Sequence, residues 1–187
     1  MTPVRIRAAV EGDAQAIARV RVRAWQVAYD GLVPADFLDA LDPAEWARQH
    51  RDRMRARQPD QAHLVAEDAA GTVVGFTECG DEQSGEGAGE VFAIYVDPGR
   101  WGTGTGRALM DAAVVHLTRA RPRPVRLWSL DGNERARRFY ERYGFVADGV
   151  TGSHAVPGGE LATVRFTLPP RPARNLSLSF DLPGSSM

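Results

Sequence analysis

The segment DPGRWGTGTGRALMDAAV, residues 97–114, has glycine at three alternate positions and then continues with a helical pattern. It follows the apolar run EVFAIYV (90–96), which has the composition of a strand, and the helical pattern extends over 105–120. The first N–H groups of a helix have no intrahelical partner and lie at the positive end of its dipole. The segment therefore predicts a strand, a bare loop and a helix N-terminus, which together favour a phosphate ligand.

Two common phosphate-binding loops do not fit the spacing of these glycines. A Walker A loop requires lysine where Thr105 stands. A dinucleotide-binding loop that starts at Gly102 or Gly104 has Arg107 or Leu109 where its third glycine belongs. The segment is then either a different phosphate-binding loop or a glycine-rich turn without a ligand.

The composition narrows the class of protein. The 187 residues, 43% of them hydrophobic, suffice for one domain with a substantial core. The chain has no apolar run long enough for a membrane span and no signal-peptide pattern. Its net charge of -1 argues against a nucleic-acid partner, and the single cysteine, Cys79, suggests neither a disulfide nor a metal cluster. We therefore expect a cytoplasmic protein without metal, nucleic acid or membrane contact.

Hydrophobic periodicity predicts the order strand, two helices, three strands, helix, strand, helix and two strands. The second helical stretch is broken near Asp42 and Pro43. Strands are predicted at 4–9, 62–68, 72–80, 90–98, 124–130, 145–150 and 160–168, and helices at 14–31, 34–58, 105–120 and 133–143.

A second segment, NERARRFYERYGF (133–145), supplies the other half of the pattern. It begins a helix after a predicted strand and places Asn133, Ala136, Tyr140 and Tyr143 on one side of it. With the glycine loop, about thirty residues upstream, it resembles the GNAT superfamily of N-acetyltransferases over residues 4–168. The family motif N-x-x-A-x-x-x-Y-x-x-x-G-F is matched by Asn133, Ala136, Tyr140, Gly144 and Phe145.

The resemblance implies an α/β (α+β) fold: a mixed, largely antiparallel sheet with splayed strands four and five, flanked by about four helices. We expect the acetyltransferase domain at 1–168 and a C-terminal extension at 169–187. In the family loop (Q/R)-x-x-G-x-(G/A), Gly104 and Gly106 take the glycine positions, but Trp101 stands where glutamine or arginine belongs. Because that loop binds pyrophosphate mainly through main-chain N–H groups, the substitution affects one side-chain contact only.

Acetyl-CoA is the co-substrate that the resemblance implies. Strand four would bind its pantetheine arm along an exposed edge beside a β-bulge, and one or two loop or helix arginines would pair with its phosphates. Asn133 either contacts the cofactor arm or caps its helix, and the two roles are compatible. The residues expected at the cofactor are Ile94, Tyr95, Val96, Trp101, Gly102, Thr103, Gly104, Thr105, Gly106, Arg107, Asn133 and Arg137.

The reaction that the resemblance implies is direct attack of a primary amine on the thioester in a ternary complex. Tyr140 takes the family's general-acid position near the leaving sulfur; the alternative is a core tyrosine. Glu90 and Glu78 are the candidate bases, with Glu90 preferred, and the alternative is a solvated strand-end carboxylate. The other functions left open are a catalytically silent acyl-CoA-binding regulatory module and transfer to an oxygen acceptor.

The acceptor side is the least defined by sequence. In the family it is built from the first two helices and the loop before the last strand, here around 151–160. The acceptor is a small-molecule or peptide amine, and the residues expected near it are Trp25, Tyr29, Trp128 and the loop histidine His154. For the helix aromatics the alternative is the core.

The C-terminal segment NLSLSFDL, 175–182, alternates apolar and polar residues. This period of two predicts an extra strand that adds to a sheet edge, in its own chain or in a homodimer. A disordered tail is the alternative.

Overall fold

The computed structural model describes residues 4–156 and 159–170. They form one seven-stranded sheet flanked by α-helices. The strands are β1 (Arg5–Ala8), β2 (Ala62–Glu67), β3 (Val73–Asp81), β4 (Gly89–Val96), β5 (Val125–Leu130), β6 (Val146–Val156) and β7 (Gly159–Leu168), and the helices are α1 (Ala14–Ala28), α2 (Ala35–Asp39), α3 (Pro43–Arg55), α4 (Thr105–Thr118) and α5 (Glu134–Tyr143).

The sheet is mixed and largely antiparallel, as predicted. Its strand order is β1-β2-β3-β4-β5-β7-β6, and β4 and β5 are the parallel pair. Their pairing covers only Gly89↔Val125, Glu90↔Arg126 and Val91↔Leu127, although both strands continue beyond it. The remainder of β4 and β5 therefore borders a gap in the middle of the sheet, which confirms the predicted splay.

A β-bulge lies on β4 at the start of this gap. Glu78 of β3 pairs with Ala93 and the next residue, Cys79, pairs with Val91, so Phe92 is the extra residue. A bulge bends its strand and strengthens the local twist. It thus helps to turn the second half of β4 away from β5.

Different helices cover the two faces of the sheet. On one face, Met110 and Leu117 of α4 and Tyr140 of α5 pack with sheet residues such as Phe166. On the other face, Ile17 and Val20 of α1 pack with β2 and β3. Alternate strand residues face opposite sides, so two separate cores form around one sheet.

The second helical stretch divides at the predicted break, which brings the number of α-helices to five. The Asp42 carboxylate accepts a hydrogen bond from the Ala44 N–H at 2.8 Å and caps α3, and Pro43 occupies its first turn. In the described ranges, no helix combines the length and apolar character that a membrane span requires.

The prediction of a loop around 151–160 is wrong for most of these residues. β6 extends to Val156 and pairs with β7, with His154 opposite Leu161, so His154 is a strand residue. The glycines and serines of this stretch disfavour a strand locally, but ladder pairing with β7 overrides that preference. The strand predicted at 175–182 lies outside the described residues.

Candidate active site

The glycine loop has the backbone that only glycine adopts easily. Gly102 and Gly104 have φ values of +77° and +92°, in the left-handed region. Gly104 is the N-cap of α4 and carries no side chain to bond the first N–H groups of that helix. The Thr103 hydroxyl donates to the Arg100 carbonyl at 2.7 Å and lies 3.0 Å from the buried Thr105 hydroxyl, which fixes the turn. The N–H groups of α4 are therefore available to an external anion.

Trp101 replaces the polar side chain of the family loop with two contacts of its own. Its indole N–H donates to the Val96 carbonyl at 2.9 Å, which ties the loop to the end of β4. The guanidinium of Arg135 on α5 lies 3.9 Å from the Trp101 ring centroid. The stack holds a cation beside the glycine loop.

The edge of β4 that faces the gap has free hydrogen-bonding groups. The Asp97 N–H donates to the Val74 carbonyl of β3 at 2.9 Å. Because backbone groups alternate between the two edges of a strand, Tyr95 also faces β3, whereas the N–H groups of Ile94 and Val96 face the gap. This edge can pair with an amide-bearing ligand as an added strand would.

A cavity of about 440 Å³ follows the gap from the glycine loop to the α1 side of the sheet. Among the described residues that line it, none is an aspartate, glutamate or histidine. Some of the site residues predicted from the sequence do not line the cavity: Thr103, Thr105, Arg137, Trp25, His154, Glu78 and Glu90. Those that line it are Tyr29, Ile94, Tyr95, Val96, Trp101, Gly102, Gly104, Gly106, Arg107, Trp128, Asn133 and Tyr140.

Tyr140 lies on α5 between the cavity and the core. It is 8% exposed, and its ring contacts Phe139 and Phe166 at centroid distances of 5.4 and 5.6 Å. Burial raises the pKa of its hydroxyl above the ordinary value of about 10. Asn133 accepts a hydrogen bond from the Ala136 N–H at 3.1 Å, so it caps α5 while also lining the cavity. Tyr140 therefore packs in the core and Asn133 caps its helix, while both also line the cavity.

The two candidate carboxylates have opposite environments. Glu78 is buried and accepts hydrogen bonds at 2.8 Å from the Nδ1 of His50, and it lies 3.4 Å from the Arg53 guanidinium. These partners outweigh the effect of burial and lower its pKa to about 2. Glu90 pairs with Gly80 at the start of the bulged strand, and burial, with a smaller effect of the Glu82 charge, raises its pKa.

Arginines give the cavity its charge. Arg137, the arginine expected at the phosphates, points elsewhere: it is exposed and donates to the Glu141 carboxylate at 2.9 Å. The cavity is instead lined by Arg100, Arg107, Arg135, Arg138 and Arg142.

The region where the acceptor was predicted is more aromatic than the sequence analysis suggested. Trp25 is buried and meets Tyr29 edge-on at 4.8 Å, with the His154 ring 6.3 Å away. Trp128 is 38% exposed at the far wall of the cavity. Arg21 and Trp46 belong to the same group, but the sequence analysis did not predict them. The helical spacing of α1 could have indicated Arg21, which lies one turn from Trp25. Trp46 lies on α3, and no local sequence pattern indicates its contact with this group.

Comparison with known proteins agrees with this geometry. The acetyltransferase (GNAT) family matches residues 24–145, from near the end of α1 to the end of the second motif. The chain belongs to the GNAT family of acetyltransferases.

The relatives carry acetyltransferase names. The uncharacterized N-acetyltransferase YuaI of Bacillus subtilis is 32% identical over 143 residues, which cover 75% of this chain and 79% of YuaI. The mycothiol acetyltransferase of Propionibacterium freudenreichii is 43% identical over 102 residues, but these cover 53% of this chain and only 32% of that protein. The crystal structure of the PaiA N-acetyltransferase of Thermoplasma acidophilum with coenzyme A has the same fold, with a TM-score of 0.66, 18% identity, and coverage of 87% and 98% of the two chains.

Proposed function

We propose that this protein transfers an acetyl group from acetyl-CoA to a primary amine by direct attack in a ternary complex. One observation carries the proposal: the glycine loop, the free edge of β4 and Tyr140 all line one cavity. The names of YuaI and of the mycothiol acetyltransferase support an acetyltransferase, and the coenzyme A in the Thermoplasma structure supports this cofactor. The buried free thiol of Cys79 suits a reducing compartment, so we assign the activity to the cytoplasm.

The residues around the cavity suit coenzyme A. The pyrophosphate would accept hydrogen bonds from the N–H groups of 101–107, where Gly102 leaves open space in place of a Cβ. The pantetheine amides would pair with the backbone of Ile94 on the gap side of β4. Arg135 and Arg138, rather than Arg137, are in position to neutralise phosphate charge. When bound, acetyl-CoA supplies the activated acyl group.

The amine must lose a proton before or during attack. An amine with a pKa of about 10.4 is neutral in less than about one molecule in a thousand at pH 7, so a base near the amine accelerates the reaction. We assign this role to Glu90, acting through water because its side chain does not line the cavity. Its raised pKa makes it a better base than an ordinary carboxylate. Glu78 is held by His50 and Arg53 and is a weaker candidate.

Tyr140 and β4 would stabilise the charge that the reaction creates. The pKa of the Tyr140 hydroxyl lies above that of a thiol, about 8.5, so complete proton transfer to the leaving sulfur is uphill. Its main role is therefore a hydrogen bond to the thiolate. The Val96 N–H, on the gap side of β4, would donate to the carbonyl oxygen as negative charge develops there.

Thermal stabilisation tests the cofactor assignment first. Acetyl-CoA and desulfo-CoA at 100 times their Kd should each add about 2.7 kcal/mol to the free energy of unfolding, whereas ATP and NAD should add little. Release of coenzyme A thiol across a panel of amines, with mass detection of the acetylated product, then tests catalysis. Because all 23 basic residues are arginine, no lysine side chain of the enzyme competes as acceptor. Cofactor binding without thiol release for any amine would contradict the enzyme and favour the regulatory module.

A further inference from the structure

The guanidinium of Arg21 lies among aromatic rings and has no carboxylate partner among the described residues. Its guanidinium carbon lies 4.0 Å from the ring centroid of Trp46, 5.4 Å from that of Tyr95 and 5.9 Å from that of Trp25. Within 4–156 and 159–170, no carboxylate lies at ion-pair distance from it, although most buried or half-buried arginines of this protein have one.

Two N–H donors of this group are buried without a hydrogen-bond acceptor: the Nε of Arg21 and the indole Nε1 of Trp25, whose side chain is 4% exposed. The two residues are one helical turn apart, so the donors belong to neighbouring side chains on one face of α1. An unsatisfied buried donor costs about 1–3 kcal/mol, more for a charged group. Two such donors side by side indicate that an acceptor-only group belongs there.

The neighbouring carboxylate of Glu78 does not fill this place. Glu78 lies on the same side of the sheet but is already held by His50 and Arg53. Burial lowers the pKa of the His50 ring, and the Arg21 charge contributes a smaller effect in the same direction. None of the described side chains or backbone groups therefore accepts from the two donors.

The group lies directly behind the wall of the cavity. Tyr95 both lines the cavity and contacts Arg21, and Ala24 and Ala28, which also line it, follow Arg21 on α1. Arg21 and Trp25 do not themselves line the cavity, so a molecule whose amine approaches the gap between β4 and β5 from the α1 side would reach them with a second group past Tyr95 and Ala24. A planar oxyanion between aromatic rings satisfies a guanidinium and an indole N–H together.

We propose that Arg21 and Trp25 bind a carboxylate of the acceptor, so that the substrate is an amine that also carries a carboxylate, of the amino-acid type. The proposal rests on the proposed acetyltransferase function, because it names the acceptor class for that same cavity. Arg21 and Trp25 are specificity-determining residues in this reaction and take no part in proton transfer.

Matched acceptors test the proposal. The L-amino acids, their primary amides and the decarboxylated amines are compared by kcat/KM in the wild type and in Arg21→Gln, Arg21→Lys and Trp25→Phe. Arg19→Gln is the control, because Arg19 is an exposed arginine on the same helix. We expect the ratio of acid to amide to fall about 10- to 100-fold in Arg21→Gln, less in Trp25→Phe, and not at all in Arg19→Gln. Aminoalkylphosphonates distinguish a carboxylate from a general anion site.

A binding measurement separates this proposal from the reaction. N-acetyl amino acids and their amides, which carry no free amine, are titrated with coenzyme A present while tryptophan fluorescence is followed. Arg21-dependent binding of the acids without acetylation of any amine would uphold the carboxylate site and overturn the acetyltransferase. Acetylation of amides and simple amines as fast as acids, in wild type, would overturn the carboxylate site alone. Absence of both binding and acetylation would overturn both.

Discussion

The guanidinium of Arg135 is stacked 3.9 Å from the ring centroid of Trp101, so a residue of α5 supplies a cation where Trp101 replaces the polar side chain of the family loop. We expect Arg135→Gln to raise the Kd for coenzyme A about tenfold, because it removes both the stack and a charge at the phosphates. Arg137→Gln is the matched control, since Arg137 pairs with Glu141 outside the cavity. Calorimetry at low and high salt should show the difference between the variants shrink as ionic strength rises.

Two glycines with nearly equal backbone geometry allow the effect of backbone strain on stability to be distinguished from an effect on cofactor binding. Gly102 and Gly71 have φ values of +77° and +78°, and a Cβ on either meets no atom within 4 Å. Alanine at each position should therefore destabilise the fold by a similar amount, about 1–2 kcal/mol in urea denaturation. Only Gly102→Ala should also weaken coenzyme A binding, because only Gly102 lines the cavity. Equal cofactor affinity in the two variants would contradict the assignment of the loop.

Tyr140 can be compared with a second tyrosine of the same helix. Tyr140→Phe should lower kcat roughly 100-fold with the Kd for coenzyme A unchanged, because it removes only the hydrogen bond to the leaving sulfur. Tyr143→Phe should keep its kcat, since the Tyr143 hydroxyl donates to Asp111 at 2.7 Å and does not line the cavity. Rates of thiol release that stay equal in the two variants would show that Tyr140 is a core residue only.

The pH profile tests the assignment of Glu90. Its pKa is raised by burial and by the Glu82 charge, so the base form is lost as pH falls through a value above that of an ordinary carboxyl. Glu90→Gln should lower kcat/KM and remove this acidic limb. Glu82→Gln should move the limb to lower pH, because it removes a like charge near Glu90, while Arg126 keeps its ion pair with Glu86. A limb that persists in Glu90→Gln belongs to another group.

Glu78 should contribute to stability rather than to catalysis. Its folded pKa of about 2 lies below the ordinary value of 4.5, so its stabilising effect is complete above pH 4.5 and is lost as pH falls toward 2. The contribution at pH 7 is about 3 kcal/mol. Glu78→Gln should therefore unfold at lower urea concentration at pH 7 and resemble the wild type near pH 2, with kcat almost unchanged. A large loss of kcat at full folding would make Glu78 the base.

Local sequence patterns predicted most of the fold. The glycine loop, the break at Asp42 and the motif 133–145 each depend on backbone geometry that a few adjacent residues determine, and each is found where it was predicted. The bounds of β6 were missed because its pairing with β7, and not its own composition, makes it a strand.

The site was less predictable because its chemistry depends on distant residues. Glu78 and Glu90 look alike in the sequence, but His50, 28 residues away from Glu78, and Arg53 on the same helix make Glu78 an ion-paired core residue. Arg135 and Arg137 differ in helical phase by two residues, which directs one to the cavity and the other to solvent. No local signal reports such partners.

The three residue pairs between β4 and β5 also have a mechanical consequence. In the described sheet they are the strand pairs that join a four-stranded half, β1 to β4, to a three-stranded half, β5 to β7. Breaking them would leave every antiparallel ladder of the described sheet intact, and the two halves would then be joined by the hydrophobic core under α4, which includes residues of both. A molecule bound along the gap would contact both β4 and β5 and so connect the two halves of the sheet. Hydrogen exchange at 89–91 and 125–127 would report how firmly it holds the halves together.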